Sequence, residues 1–494
     1  MIVDWKRVGD HVFTLAERAS RPLAKQDPAL PSGPSMPAAL QTAWWLMWPN
    51  PFLELCRERF GPRFTLNLLT QPPMVFLSDP GEVKELLKAA PEVILPGEGG
   101  KVLEPALGSH SLITLDGDDH LEHRRLMAPA FHGAKIGRLS PLMESVTDRY
   151  LALMPRGKEF PIHHDLQSLT MEIILRATFG LPEGARLNRI RDLVWRAIKQ
   201  AESPLFMLRA TRTMPVLRWA WVPFEGILRQ VDREIYTLIA ERRTARAAGT
   251  DDSDGVDLLS VLLDARHDDG SPMTDTEIRD ELLTMVVAGH ETTASQIGWA
   301  LLLLARNPAV QDRLHRELTS GADGGHDYLL ATIQEVLRCD MATPHPEPRV
   351  VAQPVSIGGV GYRPGVILQA HGHLVHHDPQ LYPDPETFRP ERFLGSRPVP
   401  YAWIPFGGGR RRCIGSNMAM LEMQIVLRKI LLQCEVRQAG AGVERGQRRA
   451  ITSSPAGGAV VTLIDRQHSP VAEKPYGTGR SEARCPVVHS GSGF

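Results

Sequence analysis

The sequence of 494 residues lacks an apolar run long enough to cross a membrane, and it lacks an excess of charge of either sign. Its 56 Lys and Arg residues against 57 Asp and Glu residues leave a net charge of −1, which gives no indication of nucleic-acid binding. The N-terminal stretch carries Asp4, Lys6 and Arg7 and has no apolar segment typical of a signal peptide. We therefore expect a protein with no membrane anchor and no nucleic-acid partner.

Cysteine is scarce, and its arrangement argues against a disulfide framework. The cysteines form no C-x-x-C pair and are scattered over the positions Cys56, Cys339, Cys413, Cys434 and Cys485. This usage is typical of the reducing cytoplasm, where we expect the protein to be located.

The chain contains no obvious linker, although its length alone favours about three domains. Prolines separate two predicted strands at 63–69 and 74–78, and helical periodicity dominates from about 80 to 345. Short strand signals return between 349 and 370. The polar stretch over 466–494 is rich in proline and glycine, and we expect it to be a flexible tail.

A long helix is predicted from the capping box of Thr274 and Glu277 to Asn307, which precedes a proline. Its centre reads Ala288-Gly289-His290-Glu291-Thr292, where an acid and a hydroxyl interrupt an apolar helix. Burying these groups requires a compensating partner. A glycine at this point thins the helix so that a flat ligand can lie against it, and a threonine hydroxyl can bond back to a carbonyl one turn earlier.

The run 406–415 reads Phe-Gly-Gly-Gly-Arg-Arg-Arg-Cys-Ile-Gly and stands just before another helical pattern. Its glycines allow tight bends and a close approach to a flat ligand. Neighbouring cations and a following helix N-terminus both lower the pKa of a thiol, so we expect Cys413 to be a thiolate. A thiolate in this setting can be an axial ligand of haem iron.

This run resembles the haem-binding signature of cytochromes P450, Phe-x-x-Gly-x-Arg-x-Cys-x-Gly, and it fills every fixed place of that pattern. The resemblance implies that Cys413 ligates the iron of haem b, that Arg411 pairs with a haem propionate and that Phe406 packs near the sulfur. Gly407 and Gly415 belong to the same haem-binding loop.

The central helix resembles the P450 pattern Ala/Gly-Gly-x-Asp/Glu-Thr. The resemblance places Ala288 and Gly289 over the haem and assigns catalytic roles to Thr292 and Glu291. Thr292 would hold water beside bound dioxygen by hydrogen bonds, and Glu291 would connect that site to bulk protons. His290 fills the free position of the pattern, and we assign it no role.

Two further groups of residues follow from the same resemblance. A buried ion network that holds the cysteine loop in place would consist of Glu335, Arg338 and Arg392. The haem propionates would be bound by His120, Arg124 and Arg349. Seen without the resemblance, both groups also suit exposed charged helix faces.

The fold implied is mainly α with small β-sheets, the cytochrome P450 fold, in which haem lies between a long central helix and the cysteine loop with its helix. We expect a single haem domain over 1–465, with 1–27 as an N-terminal lead-in. The resemblance is to the soluble, bacterial kind of P450, and we expect a monomer.

The activity implied is monooxygenation, in which one oxygen atom of O2 enters a C–H bond. By family position the substrate pocket draws on apolar or small side chains, which favour a fatty acid, terpenoid or steroid-like molecule. These side chains are Leu103, Leu107, Phe206, Ala288, Ala342, Pro344 and Pro455.

Electrons would come from separate proteins, a ferredoxin or flavodoxin with its NAD(P)H reductase, because no flavin or nicotinamide domain follows the haem region. Epoxidation, desaturation or oxidative coupling in a biosynthetic pathway stays open as an alternative outcome. A non-catalytic haem sensor is a remote alternative, since the acid and the threonine of the central helix are both present.

Overall fold

Helices dominate the architecture, as the sequence predicts, and small sheets accompany them. The computed structural model describes residues 13–14, 27–131, 133–201, 221–251, 255–320, 326–440, 442, 444–449 and 451–466. The predicted tail beyond residue 466 and most of the predicted lead-in at 1–27 lie outside the described residues.

The helices of this part of the chain are numbered here in chain order. They are Ala38–Met47 (α1), Pro49–Phe60 (α2), Pro80–Lys88 (α3), Pro96–Gly100 (α4), Glu104–Leu107 (α5), Gly117–Met127 (α6), Ala134–Gly137 (α7), Ser140–Leu153 (α8), His163–Phe179 (α9), Ala185–Ala201 (α10), Val222–Ala247 (α11), Leu258–Asp264 (α12), Asp275–Arg306 (α13), Pro308–Thr319 (α14), Asp327–Cys339 (α15), Gly372–His376 (α16) and Ser416–Gln433 (α17).

The strands are numbered in the same way. They are Arg63–Leu66 (β1), Met74–Leu77 (β2), Ile94–Leu95 (β3), Glu159–Pro161 (β4), Arg349–Val351 (β5), Val355–Ile357 (β6), Val360–Tyr362 (β7), Ile367–Ala370 (β8), Cys434–Gln438 (β9), Gly446–Arg449 (β10), Thr452–Pro455 (β11) and Val460–Asp465 (β12).

The central helix α13 spans 32 residues and begins as predicted. The Thr274 hydroxyl accepts a hydrogen bond from the backbone N–H of Glu277, whose carboxylate accepts one from the backbone N–H of Thr274. The helix ends at Arg306, ahead of Pro308. Both predicted boundaries are therefore confirmed, because each depends on residues within one turn of the helix end.

A five-stranded sheet with the order β1-β2-β8-β5-β3 joins the N-terminal region to the segment after α15. Its strand β1 runs antiparallel to β2, and β2 runs parallel to β8. The first strand ends earlier than predicted, at Leu66. The reason is that side chains of α1 take up the next backbone donors: Gln41 accepts from the N–H of Asn67, and Thr42 from that of Leu69.

Three smaller sheets complete the strand pattern of the described residues, with the orders β4-β12-β9, β10-β11 and β6-β7. The pairing of β12 with β4 and β9 is antiparallel, and it brings the end of the described chain back to the start of α9.

The main apolar core forms around α13, which packs along α9 and also contacts α15 and α17. Ile297, Leu301 and Leu304 of α13 have no exposed surface. The helix that follows the predicted cysteine loop is thus packed against the helix that carries the predicted acid and threonine.

Candidate active site

The cysteine loop is built by the turn that precedes α17. The backbone N–H of Cys413 donates to the carbonyl of Phe406 over 2.9 Å, which closes the loop. Gly407 and Gly409 have φ values of 65° and 64°, in the left-handed region that favours glycine. A Cβ atom on Gly409 would lie 1.9 Å from the carbonyl oxygen of Leu87, so this position admits no side chain.

Cys413 differs from the other described cysteines in its access to solvent. Its side chain is exposed although it lies deep in the fold, whereas Cys56 and Cys434 are buried. Cys339 is half-buried beside the guanidinium of Arg338. Only Cys413, among the described cysteines, combines an open sulfur with a position just before a helix N-terminus.

The groups expected to favour a thiolate at Cys413 are present around its sulfur, but burial in the folded chain opposes them. Burial raises the pKa of the Cys413 thiol above its ordinary value, and it outweighs the hydrogen bond from Gly415 and the charges of Arg124 and Arg412. These groups still favour the negative sulfur, but they do not cover the cost of desolvation. A metal ion removes the proton outright, because a coordinated thiol is deprotonated.

Four basic side chains come together from distant parts of the chain. They are His120 and Arg124 on α6, Arg349 on β5 and Arg411 of the cysteine loop. Burial, aided by these neighbouring guanidinium groups, lowers the pKa of His120 to about 3, so its imidazole is neutral. Burial also lowers the pKa of Arg349 to about 10 and that of Arg124 below its ordinary value.

This group of cations fits the two carboxylates of a haem. The Nε atom of Arg349 is buried and has no hydrogen-bond partner among the described residues. Burial works against charge on Arg124, and the charge of Glu347 opposes this effect only weakly. An unpaired buried guanidinium is costly, and an anionic group from the cofactor would relieve that cost.

Arg411 has a different environment from the one predicted. Its guanidinium donates to the carbonyls of Leu112, over 3.0 Å, and Leu115, and it donates to the carboxylate of Asp116 over 2.9 Å. Asp116 also accepts the backbone N–H of Gly97. Arg411 thus fastens the cysteine loop to the segment before α6, and its pairing with a propionate stays a prediction.

Sequence reasoning missed a tie between α6 and α13. The Nδ1 atom of His123 lies 2.9 Å from the carboxylate of Glu281, and both side chains are buried. The other oxygen of Glu281 accepts the backbone N–H of Leu112 over 3.2 Å. The position of His123 next to Arg124 could have marked this histidine as a functional candidate. Its partner Glu281 is 158 positions away, so the sequence did not indicate the pair.

We expect this tie to make the stability of the holoprotein depend on pH. Burial works to lower the pKa of His123, but the hydrogen bond and charge of Glu281 outweigh it, so the pKa lies above the ordinary 6.5. The resulting stabilisation is complete below pH 6.5 and is lost as the pH rises through the raised pKa of the folded protein. Its size is about 1.4 kcal/mol for each unit by which the folded pKa exceeds the unfolded pKa. Urea unfolding between pH 6 and 9 should show this slope in the wild type and not in His123→Gln; equal slopes would contradict it.

The central helix presents Ala288 and Thr292 on one half-exposed face, while the next residues, Thr293 and Ala294, are buried. The Thr292 hydroxyl donates to the carbonyl of Ala288 over 2.7 Å, which confirms the predicted bond to the preceding turn. The threonine oxygen is thereby left to accept hydrogen bonds from this half-exposed face.

The structure gives a reason for glycine at position 289 that differs from the predicted one. A Cβ atom on Gly289 would lie 2.8 Å from the Cδ1 atom of Ile174, on α9. The glycine therefore allows α9 and α13 to pack closely. The interpretation that it makes room for a flat ligand is wrong for its side-chain position, which points at Ile174.

Glu291 has the compensating partners that its burial requires, and they lie on α9. Its carboxylate accepts a hydrogen bond from Gln167, and the Nε2 atom of His163 lies 3.3 Å from it. Sequence reasoning missed both residues. Their spacing of four puts them on one helix face, but only the packing of α9 on α13 shows what that face contacts.

The predicted ion network forms and is buried. Arg338 contacts Glu335 through Nε over 2.7 Å, and both side chains are fully buried. Arg392 reaches the same carboxylate over 3.2 Å. The network connects through His376, which was missed, to Ile404, two residues before the cysteine loop. The carbonyl of His376 accepts from Arg338, and its Nε2 accepts from the N–H of Ile404.

The predicted pocket residues are distributed along the central helix, with Leu107 near its start and Ala342 near Gln296 in its second half. Leu107 of α5 is buried, and its carbonyl accepts from Arg279; Leu103 is half-buried nearby. Ala342 and the strand of Pro455 are brought together, since the carbonyl of Ala342 accepts from the N–H of Ser453 over 2.7 Å.

Pro344 accepts a hydrogen bond from the N–H of Gly372 through its carbonyl. Phe206 lies outside the described residues. That these side chains form one pocket stays a prediction.

The chain is similar to known proteins over most of its length. Residues 30–458 match the protein-family model described as Cytochrome P450. The Mycobacterium tuberculosis protein named cytochrome P450 135B1 is 33% identical over 465 residues, 94% of this chain and 96% of that protein. Cytochrome P450 137 of the same organism is 34% identical over 433 residues, 87% and 89% of the two chains.

Solved structures agree on the fold. A structure titled retinoic acid bound cyanobacterial CYP120A1 superposes with a TM-score of 0.76 at 23% identity, covering 90% of this chain and 100% of that chain. A cytochrome P450DA haem domain has a TM-score of 0.73 at 21% identity, covering 89% and 98%. At these identities the likeness shows the fold alone.

Sequence relatives and architecture together place this protein among the haem-thiolate oxidoreductases. It belongs to the cytochrome P450 family, and it is accordingly a monooxygenase that binds haem b through a cysteine thiolate. In the part of the chain that the structure describes, none of the helices has both the length and the apolar character that a membrane span requires.

Proposed function

We propose that Cys413 is the haem ligand and that the protein inserts one oxygen atom of O2 into a C–H bond of a lipophilic small molecule. The observation that carries the proposal is the position of Cys413, which is exposed and lies just before α17. Arg411 joins its loop to Asp116, just before the helix α6 that carries His120 and Arg124. The haem, when bound, supplies the iron at which electrons and dioxygen meet and a C–H bond is oxidised.

The residues around the sulfur favour its negative charge. The N–H of Gly415 donates to it, and Arg124 and Arg412 lie close enough to stabilise it electrostatically. On the propionate side, Arg124 and Arg349 supply charge, and the neutral His120 supplies a hydrogen bond rather than a charge. These groups orient the cofactor and leave the chain without an unpaired buried cation.

On α13, Thr292 and Glu291 would deliver protons. The hydroxyl hydrogen of Thr292 is committed to the carbonyl of Ala288, so its oxygen can hold a water molecule as an acceptor. Glu291 is the nearest carboxylate along the helix and exchanges protons with that water.

A fatty acid, terpenoid or steroid-like substrate is favoured by the apolar or small character of the predicted pocket residues, Leu103, Leu107, Ala288, Ala342, Pro344 and Pro455. We propose a ferredoxin or flavodoxin with its NAD(P)H reductase as the electron source. The exposed Arg410 lies on the side of the thiolate, where an acidic protein would be attracted by charge.

Spin-shift titrations of the ferric holoprotein test the substrate class. Fatty acids, terpenoids and steroids are compared with matched polar alcohols and sugars of similar size. At least one lipophilic class should move the haem Soret band and give a hydroxylated product with a surrogate ferredoxin and its reductase. Shifts by the polar compounds alone would contradict the proposed substrate class.

We expect Thr292→Ala to separate electron use from product formation. Without the hydroxyl, water and protons are no longer positioned, so product per NADPH consumed should fall by about tenfold or more. The matched control is Thr293→Ala, since Thr293 is the next residue and lies on the buried side of α13. Product analysis beside NADPH consumption gives the ratio, and equal ratios in both variants would contradict the role of Thr292.

A further inference from the structure

The carboxylate of Glu291 is surrounded by donors that the family pattern does not contain. His163 and Gln167 approach it from the first turns of α9, and the hydroxyl of Ser295 lies 3.3 Å away on α13 itself. Glu291, His163 and Gln167 are all buried, with at most 8% of their surface exposed. The acid of the central helix is therefore held against α9 by hydrogen bonds.

These donors favour the ionised acid. Burial works to raise the pKa of Glu291, but the hydrogen bonds from His163 and Gln167, together with the electrostatic effect of the nearby imidazoles, outweigh it. His290 lies further along this interface, where its ring is 6.0 Å from that of Trp195 on α10. The net effect is a pKa below the ordinary value.

The two nitrogen atoms of the His163 ring have different surroundings. Its Nε2 faces the carboxylate and so carries the hydrogen. Its Nδ1 is buried and has no hydrogen-bond partner among the described residues. A Cβ on Gly298 would lie 3.5 Å from Nδ1, 3.5 Å from the Cβ of Ala459 and 3.6 Å from Pro455. Nδ1 therefore has no described hydrogen-bond partner to which the ring could pass a proton.

We propose that His163 is a positioning residue for proton delivery: its Nε2–H, together with Gln167, holds the carboxylate of Glu291 in one orientation against α9. The inference rests on the proposed function, in which Glu291 exchanges protons with the water at Thr292. His163 acts through Glu291 and contributes a hydrogen bond, not a proton of its own.

The first test measures the acid directly in the full-length ferric holoprotein. The infrared carboxyl band that disappears in Glu291→Gln is titrated in the wild type, His163→Phe and His163→Gln. The phenylalanine has no donor, so the midpoint of Glu291 should rise by at least one pH unit. The glutamine amide restores a donor, so its midpoint should stay near that of the wild type. A wild-type midpoint in His163→Phe overturns the proposal.

The matched control is His164→Phe, the same change at the neighbouring exposed histidine, whose ring contacts Trp195. It should leave the midpoint unchanged. If His163→Phe does not load haem, His163→Leu serves as the second donor-free variant, with the same expected rise. A shift in His164→Phe equal to that in His163→Phe would also overturn the proposal, because it would show a general disturbance of α9.

The second test is NADPH-driven turnover with a surrogate ferredoxin and its reductase, with dodecanoic acid as the probe. His163→Phe should slow the proton-dependent rate by about tenfold and raise its solvent isotope effect, and His163→Gln should recover most of the rate. Wild-type kinetics in His163→Phe while Glu291→Gln is slow overturns the role of His163. Unchanged kinetics in Glu291→Gln instead overturns the proposed role of Glu291.

Discussion

A chain with serine in place of Cys413 is expected to lose the long-wavelength Soret band of the reduced, carbon monoxide-bound protein and all substrate oxidation. The serine hydroxyl does not ionise in this site, where burial already raises the pKa of a thiol. It therefore cannot donate to iron the electron density that favours cleavage of the O–O bond. The measurement is the difference spectrum of the reduced protein, followed by product analysis.

Cysteines elsewhere in the chain provide matched controls for this prediction. Cys434→Ser changes a fully buried cysteine at the start of β9, and Cys339→Ser changes one beside Arg338. Both variants should keep the long-wavelength band in the fraction that binds haem. A normal band in Cys413→Ser would show that Cys413 is not the haem ligand. Loss of the band in Cys434→Ser at full haem loading would contradict the assignment in the same way.

Replacing Glu335 by glutamine is expected to produce the largest loss of stability away from the cofactor. The change leaves the guanidinium groups of Arg338 and Arg392 buried without a carboxylate, at a cost of about 3–5 kcal/mol. It also weakens the hydrogen bond from the N–H of Arg389, which is 2.9 Å from Glu335. Denaturant unfolding of the holoprotein measures the free energy.

An exposed pair on the same part of the molecule is the control for this loss. Arg313 lies 2.7 Å from Glu391, and their side chains are 42% and 45% exposed. Glu391→Gln should therefore cost at most about 1 kcal/mol. Because Arg338 connects through His376 to Ile404, Glu335→Gln should also release haem faster. Equal losses in the two variants would show that the buried network is no more important than a surface pair.

Features that depend on neighbours along the chain were predictable. The capping box of Thr274 and the back-bond of Thr292 are both formed, because each needs only residues within about one turn. The pair of Glu335 and Arg338 also lies within one turn, though its burial followed only from the family resemblance. The short β1 was overpredicted, since its length is limited by side chains of α1.

Features that depend on burial were not predictable. Arginines and a helix start around Cys413 argued for a lowered thiol pKa, but desolvation by the folded chain outweighs them. We interpreted Gly289 as making space for a ligand, but the side chain of Ile174 occupies the place where a side chain at position 289 would lie. In both places the local chemistry was recognised, and the surroundings that decide its effect come from distant segments.

The order of residues alone was sufficient to identify the family, the cysteine loop and the acid–threonine pair, since these are patterns of adjacent positions with one chemical purpose. The tertiary structure decided which groups face each other across helices. His163 is 128 positions from Glu291, and His123 is 158 from Glu281. Hydrogen bonds of this kind form only after the apolar faces of α9, α6 and α13 have packed, because that packing removes the water that would otherwise compete for them.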